Sequence, residues 1–261
     1  MLRILHPFPS VLVTAITVAI ALLLGGADHR GTIASLAVGM LAYQFSIGVL
    51  NDIVDAEDDR AARISKPLSA GLIALPAARL LFAICLAIGL GVTLLLGPIA
   101  WLVGIAGASM GLVYDLRLKR TDWSWLPYSL AFPLVPIWAA VALDRWEAVL
   151  WATLPLGAVL GFAIHLANQA SDLDSATGGF VERLGERRAE RLAVALFFAV
   201  ALAVTALRWP ASALAGIAAI GVAMAALLLA RLWRRRPAGL FAALSIGGGG
   251  LAITLLSALR Q

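Results

Sequence analysis

The sequence predicts an all-α, polytopic membrane protein, and three observations predict it. Hydrophobic residues make up 62% of the chain and charged ones only 13%. Apolar runs recur at close to the ~20 residues that cross a bilayer as a helix. The cations also fall on alternate loops. Nine spans can be read between turn and charge signals, at about 8–25, 31–50, 74–96, 98–115, 124–143, 147–168, 188–207, 210–232 and 239–259, forming one transmembrane domain over residues 1–261. Sixteen of the 20 Lys and Arg lie on the side that holds the N-terminus. The positive-inside bias therefore predicts a cell (inner) membrane protein with that side in the cytoplasm. The net charge of +5 follows from basic loops facing anionic headgroups, so no nucleic-acid partner is implied.

The first span follows the lead-in Leu2 to Ser10, where Pro7 and Pro9 break any earlier helix. Arg3 reads there as a snorkelling cation and His6 as an interfacial residue, in preference to a substrate role for either. With eight further spans behind it, the first run reads as a retained helix rather than a signal peptide.

The second span carries Tyr43, Gln44 and Ser46, as interhelical glue or as cavity lining, and ends in Asn51 to Asp59, five acids in nine residues. On a helix Asp52, Asp55 and Asp59 fall within roughly 60° of one another. Like charges so stacked repel, and the arrangement costs stability unless a cation sits among them. Hard oxygen ligands suit Mg²⁺, which commonly bridges one or two carboxylates to substrate phosphates. Glu57 and Asp58 lie off the shared face and read as solvated. Arg60, Arg63 and Lys66 follow within a few residues, as a site for a metal-chelated polyanion would need. Lys66, fixed before Pro67, is the best placed of the three.

Cys85, alone in the third span, reads as a packing residue and excludes both an intramolecular disulfide and a cysteine metal cluster. The third and fourth spans turn at Gly97-Pro98, and the fourth runs out through Tyr114-Asp115-Leu116-Arg117-Leu118-Lys119-Arg120. Tyr114 is either a membrane anchor or a site residue. Trp123, Trp125 and Trp233 on one side, with Trp101, Trp146, Trp151 and Trp209 on the other, suggest interfacial belts. Pro127, Pro133 and Pro136 predict a kinked fifth helix.

The sixth span ends in a second polar stretch, in which His165, Asn168 and Asp172 share one helix face. His165 reads as a buried, hydrogen-bonded histidine rather than a ligand. Asp174 can join Asp172 only if the helix frays there. Four whole spans separate Asp52 from Asp172, so both acidic clusters open on the same side. The Gly247 to Gly250 run in the last span predicts close helix packing.

At Asn51, Asp52, Asp55 and Asp59 the chain resembles the NDxxDxxxD motif of the UbiA superfamily of intramembrane prenyltransferases. The resemblance extends through Lys66-Pro67-Leu68 to Gly71, through Tyr114 to Lys119, and through the acids after helix six. It departs from the family at the second motif, where an acid four residues after Asp172 is expected and Ala176 stands, with Asp174 early instead. The resemblance implies a helical bundle around a central chamber and two Mg²⁺ ions held by Asp52, Asp55, Asp59, Asp172 and Asp174. It further implies a prenyl diphosphate bound by Asn51, Lys66, Arg117, Lys119 and Asn168. Catalysis would fall to Asp52, Asp55, Tyr114 and Asp172, and the allylic carbocation would be passed to a small, aromatic acceptor. A terpene cyclase acting on the prenyl chain itself is the nearest alternative. An ion-coupled transporter would place its acids in mid-span rather than at helix ends. The DGxxAR-type motif of CDP-alcohol phosphotransferases is absent.

Overall fold

The computed structural model describes residues 2–171, 179–209, 212–236 and 238–257. Ten α-helices order them: α1 Pro7–Leu23, α2 Arg30–Ala61, α3 Leu75–Leu94, α4 Pro98–Val113, α5 Leu126–Ala142, α6 Leu150–Ser171, α7 Phe180–Leu184, α8 Glu186–Arg208, α9 Ala213–Leu232 and α10 Gly239–Leu256. No strand occurs among the described residues. Seven helices are long and apolar enough to cross a membrane, and two further apolar helices, α1 and α5, have 17 residues each. Against the nine spans expected, seven helices therefore have spanning length, and the two shorter ones each open on a proline-bearing first turn.

Consecutive long helices pack side by side, and α10 closes the ring against α1 while also packing on α6 and α8. The glycines of α10 explain how it fits there. A Cβ on Gly247 would meet Phe197 and Ala226, on Gly248 Leu160, on Gly249 Ile16 and on Gly250 Val222, all at 3.0 Å or less. Successive residues on a helix point ~100° apart. Four glycines in a row therefore let four neighbouring helices approach on all sides. On α6, a Cβ at Gly161 would lie 2.4 Å from the Tyr128 carbonyl oxygen, so α5 and α6 touch backbone to backbone there. Pro133 and Pro136 lie inside α5, which runs on through them as one helix.

Outside the ring's interior, α3 and α9 carry stripes of exposed apolar side chains: Leu80, Ile84 and Ile88 on the first, Ile217, Ile220, Met224 and Leu228 on the second. Recurring every three or four residues, such stripes suit contact with lipid tails. Inside, seven helices (α1, α2, α4, α5, α6, α8 and α10) line a cavity of about 1080 Å³. Its walls are mostly apolar, for example Ile16, Phe132, Leu156 and Val204, and its polar residues gather where α1 begins and α2 and α4 end.

Candidate active site

The acidic stretch is the uninterrupted continuation of the second span, since α2 runs for 32 residues from Arg30 to Ala61. The helical period carries Asp52, Asp55 and Asp59 onto one buried face, at 1%, 7% and 5% exposure. Glu57 and Asp58 lie exposed on the other side. Three buried carboxylates on one stripe need compensating charge, which the next loop provides. Lys66 Nζ lies 2.8 Å from Asp59, 3.6 Å from Asp52 and 3.9 Å from Asp55. The loop is pinned by Ser69, whose Oγ accepts from the Lys66 amide at 3.1 Å and donates to the Ile64 carbonyl at 2.7 Å. Burial pulls the Lys66 ammonium down. The Asp59 hydrogen bond and the charges of Asp52, Asp59 and Asp55 outweigh it, so its pKa ends above the ordinary lysine value. Arg60 and Arg63 stay exposed.

The second contribution comes from α4, which leaves its regular geometry through a π turn, Tyr114–Leu118. The Lys119 amide donates to the Tyr114 carbonyl, closing a turn of five residues at 2.8 Å. On a regular α-helix Lys119 would point roughly 140° away from Tyr114. The wide turn returns it to the same side, where Lys119 pairs with Asp55. Arg120 pairs with Asp58 and lies 3.7 Å from Asp55. Tyr114 and Asp115 are buried and line the cavity, whereas Arg117 is turned out, exposed and away from the lining. Of the expected diphosphate ligands the structure brings together Asn51, Lys66, Lys119 and Asn168, and leaves Arg117 aside.

Tyr114 packs edge-on against Tyr128, centroids 5.3 Å apart, and its hydroxyl accepts from Gln169 Nε2. Asn168 Nδ2 donates to the Tyr128 hydroxyl at 3.3 Å. His165 is fully buried, and its Nε2 lies 3.1 Å from Ser124 Oγ. Asp172 and Asp174 lie outside the described residues. Nearby, Gly179 (φ +93) leads into α7, and a Cβ there would be 2.7 Å from the Thr121 carbonyl oxygen. Of the polar trio in the second span, Tyr43 turns to α3 as glue, its hydroxyl 2.8 Å from Thr93 Oγ1, while Gln44 lines the cavity. Ser46 is buried and donates to the Tyr43 carbonyl at 2.8 Å. Trp233 stands at the cavity rather than in an outward belt, with the Arg236 guanidinium 5.8 Å over its ring.

Two residues enter the site that the sequence reading placed elsewhere or passed over. His6, read as interfacial, meets Asp52 Oδ1 through Nε2 at 3.0 Å. It stands in a left-handed turn (φ 45) with its ring against Gly48, where a Cβ would come 3.0 Å from Cδ2. No local pattern signals a contact 46 residues away. Asp115 accepts from Asn51 Nδ2 at 3.0 Å. An acid at the inner end of an apolar run was the available signal.

A divalent cation can be tested against these residues. No three His, Cys, Asp or Glu side chains converge as a ready-made metal site among the described residues. Asp52 Oδ2, however, is buried with no hydrogen-bond partner there. An acceptor-only oxygen in that state is completed by a cation, and Asp52 and Asp55 offer the hard donors that Mg²⁺ prefers. Among the described residues, Asp52 and Asp55 fit a Mg²⁺ ion whose remaining ligands come from elsewhere.

A family model, the UbiA prenyltransferase family, matches residues 11–247. Among curated proteins, a digeranylgeranylglyceryl phosphate synthase of Methanoculleus marisnigri is 32% identical over 111 residues, 41% of this chain and 40% of that protein. The polyprenyl transferase ntnF of a Nectria species is 33% identical over 141 residues, 48% of this chain and 42% of that one. The chain thus spans about two fifths of the length of the curated relatives it matches. Among solved structures, a UbiA homologue from Archaeoglobus fulgidus bound to DMAPP and Mg²⁺ superposes with a TM-score of 0.68 at 17% identity, covering 97% of this chain and 98% of that one. At that identity the likeness speaks for the fold alone. The family match, by contrast, runs through both the acidic end of α2 and the Tyr114 turn, and on its extent the chain belongs to the UbiA prenyltransferase family.

Proposed function

We propose that this protein is a Mg²⁺-dependent intramembrane prenyltransferase, moving an isoprenoid chain from a prenyl diphosphate to a small, aromatic acceptor. One observation carries the reading. Buried Asp55 and Asp59, interleaved with Lys66 and Lys119, line the polar end of a cavity whose other walls are apolar, and Asp52 pairs with the lining residues His6 and Lys66. That is the polarity of the substrate: an anionic head with a hydrocarbon tail.

In this reading Asp52 and Asp55 would hold Mg²⁺, as one or two ions. The metal supplies positive charge to the leaving diphosphate oxygens. Lys66 and Lys119 exchange their aspartate partners for phosphate oxygens, and Asn51 and Asn168 donate to the same head. Cations placed where negative charge develops lower the barrier to breaking the allylic C–O bond. The apolar walls exclude the water that would capture the resulting carbocation. Tyr114 and Tyr128 line the cavity, where aromatic rings attract such a cation through their quadrupoles. The acceptor then attacks the cation, and the proton it afterwards loses passes to the released diphosphate. Asp172 and Asp174 take the second half of the metal site in this reading, as the sequence pattern suggests. The site opens on the cytoplasmic side, in keeping with the Lys and Arg count.

The test uses purified protein in lipid nanodiscs with geranyl diphosphate and a panel of phenolic acceptors. Prenylated product is expected with Mg²⁺ and lost with EDTA. Asp52→Asn and Asp55→Asn are each expected to lower turnover by about 10²-fold or more while the protein still inserts and purifies. Full turnover by both variants in EDTA would end the assignment. Cyclised hydrocarbon formed from geranyl or longer diphosphates without any acceptor would replace the transferase by the cyclase.

A further inference from the structure

We propose that Asp115 is the residue by which this site selects its acceptor, and that the group it reads is a hydroxyl. This deepens the reading above and rests on it. Asp115 stands on the π turn of α4, 4% exposed, and lines the cavity beside Tyr114. Its two oxygens are unequal. Oδ1 accepts from Asn51 Nδ2 at 3.0 Å, while Oδ2 is buried and has no hydrogen-bond partner among the described residues. Leaving a buried carboxylate oxygen without a donor costs more than an ordinary hydrogen bond returns. Such an atom calls for a donor, and a bound water, ion or ligand group can supply it.

The other carboxylates at this end are compensated: Asp55 by Lys119, Asp59 by Lys66, Asp52 by His6 and Lys66. Asp115 alone among them takes a neutral partner, Asn51, and no salt bridge, among the described residues. That separates its role from the anion-binding half of the site. The charged groups acting on it are Lys119, Asp55 and His6. A cationic ligand would have to settle beside Lys119, and one drawn through an apolar-walled cavity loses its hydration without return. A neutral O–H meets neither obstacle. Once the carboxylate tips toward the cavity it lines, such a group donates to Oδ2 while the rest of the acceptor stays among the apolar and aromatic lining, Tyr128 and Phe132 included. Asn51 ties this acceptor contact to α2, next to Asp52, so the hydroxyl is held at a set distance from the diphosphate head. Asp115 is in this sense a positioning and specificity residue. It orients the acceptor and takes no part in bond breaking.

A site that hydrogen-bonds a substrate hydroxyl strongly rejects the analogue lacking it, because the buried acceptor is left unpaired. The probes are therefore 2-naphthol and its methyl ether, 2-methoxynaphthalene. They are measured by equilibrium dialysis against nanodisc-embedded protein holding Mg²⁺ and the unreactive geranyl thiolodiphosphate, with empty nanodiscs subtracted. Wild type is expected to prefer the naphthol by about tenfold or more, and Asp115→Ala to reduce that ratio to within about twofold. Asp115→Asn, of the same shape, guards against a variant that fails to fold and is expected to lose most of the preference. An unchanged ratio in both variants, or equal binding of the two probes by wild type, overturns the proposal. So does tighter binding of 2-naphthylmethylammonium than of the naphthol, which would make the group read a cation. Binding of geranyl thiolodiphosphate alone is the separate control. If wild type does not bind it, the transferase reading itself fails; if it binds and only the naphthol preference is missing, Asp115 alone has been misassigned.

Discussion

Lys66 is the residue on which the ligand-free site depends most, because a single ammonium meets three buried carboxylates. Removing one partner of a buried charge cluster leaves the others uncompensated. Lys66→Ala is expected to destabilise the metal-free protein by about 1–3 kcal/mol. Added Mg²⁺ should then stabilise the variant more than wild type, since it replaces the missing charge. Thermal unfolding of both proteins with EDTA and with Mg²⁺ checks this, and an equal Mg²⁺ increment in the two would refute it. The raised pKa sets the pH window. A lysine that gains affinity for its proton on folding stabilises at neutral pH, and that contribution is lost only as pH climbs past the ordinary lysine value.

At the scale of elements, the π turn of α4 makes a sharp distinction between two cations only two residues apart. Lys119 is turned to Asp55, and Arg117 is turned out. Lys119→Ala should weaken binding of geranyl thiolodiphosphate by about tenfold or more, as expected for loss of a charge-assisted contact, and Arg117→Ala should change it by less than about twofold. Isothermal titration with each variant decides, and equal losses would mean that the turn does not sort the two. A second contrast concerns helix contact. Gly161→Ala on α6 drives a methyl group into the Tyr128 carbonyl oxygen, whereas Gly221→Ala on α9 meets nothing within 4 Å. The first is expected to destabilise by about 1–3 kcal/mol. The second should be neutral or slightly stabilising, since alanine favours the helix. Denaturation midpoints of the two variants make the comparison, and a neutral Gly161→Ala would mean that α5 and α6 separate without cost.

For the whole molecule the open question is orientation, and the one-sided Lys and Arg count makes a definite proposal. In a Cys85→Ala background, Glu57→Cys at the exposed end of α2 should react with a membrane-impermeant thiol reagent in inverted vesicles but not in spheroplasts. Glu147→Cys, between α5 and α6, should do the reverse. Labelling of both from one side would contradict the proposed crossing of α5. Ring closure by α10 belongs to this scale too, because α1 and α10, far apart in sequence, pack on each other and both line the cavity.

Sequence alone determined the fold class, the placing of the acids and the identity of the main cations. Hydrophobic runs of bilayer length admit little but helices, since the backbone must satisfy its own hydrogen bonds in lipid. The spacing of Asp52, Asp55 and Asp59 projects onto one face by the helical period, without reference to any other element. Lys66 and Lys119 were legible because they stand near those acids or in a recognisable stretch. Tertiary structure decided what no period encodes. It sent Tyr43 to α3 and Gln44 to the cavity. It turned Lys119 in and Arg117 out, because a five-residue turn breaks the regular phase. It brought His6 onto Asp52 and set Asn51 against Asp115, pairs 46 and 64 residues apart. Such contacts depend on where whole helices lie relative to one another, and that position is fixed by close packing at Gly48, Gly161 and Gly247 to Gly250 rather than by any local pattern.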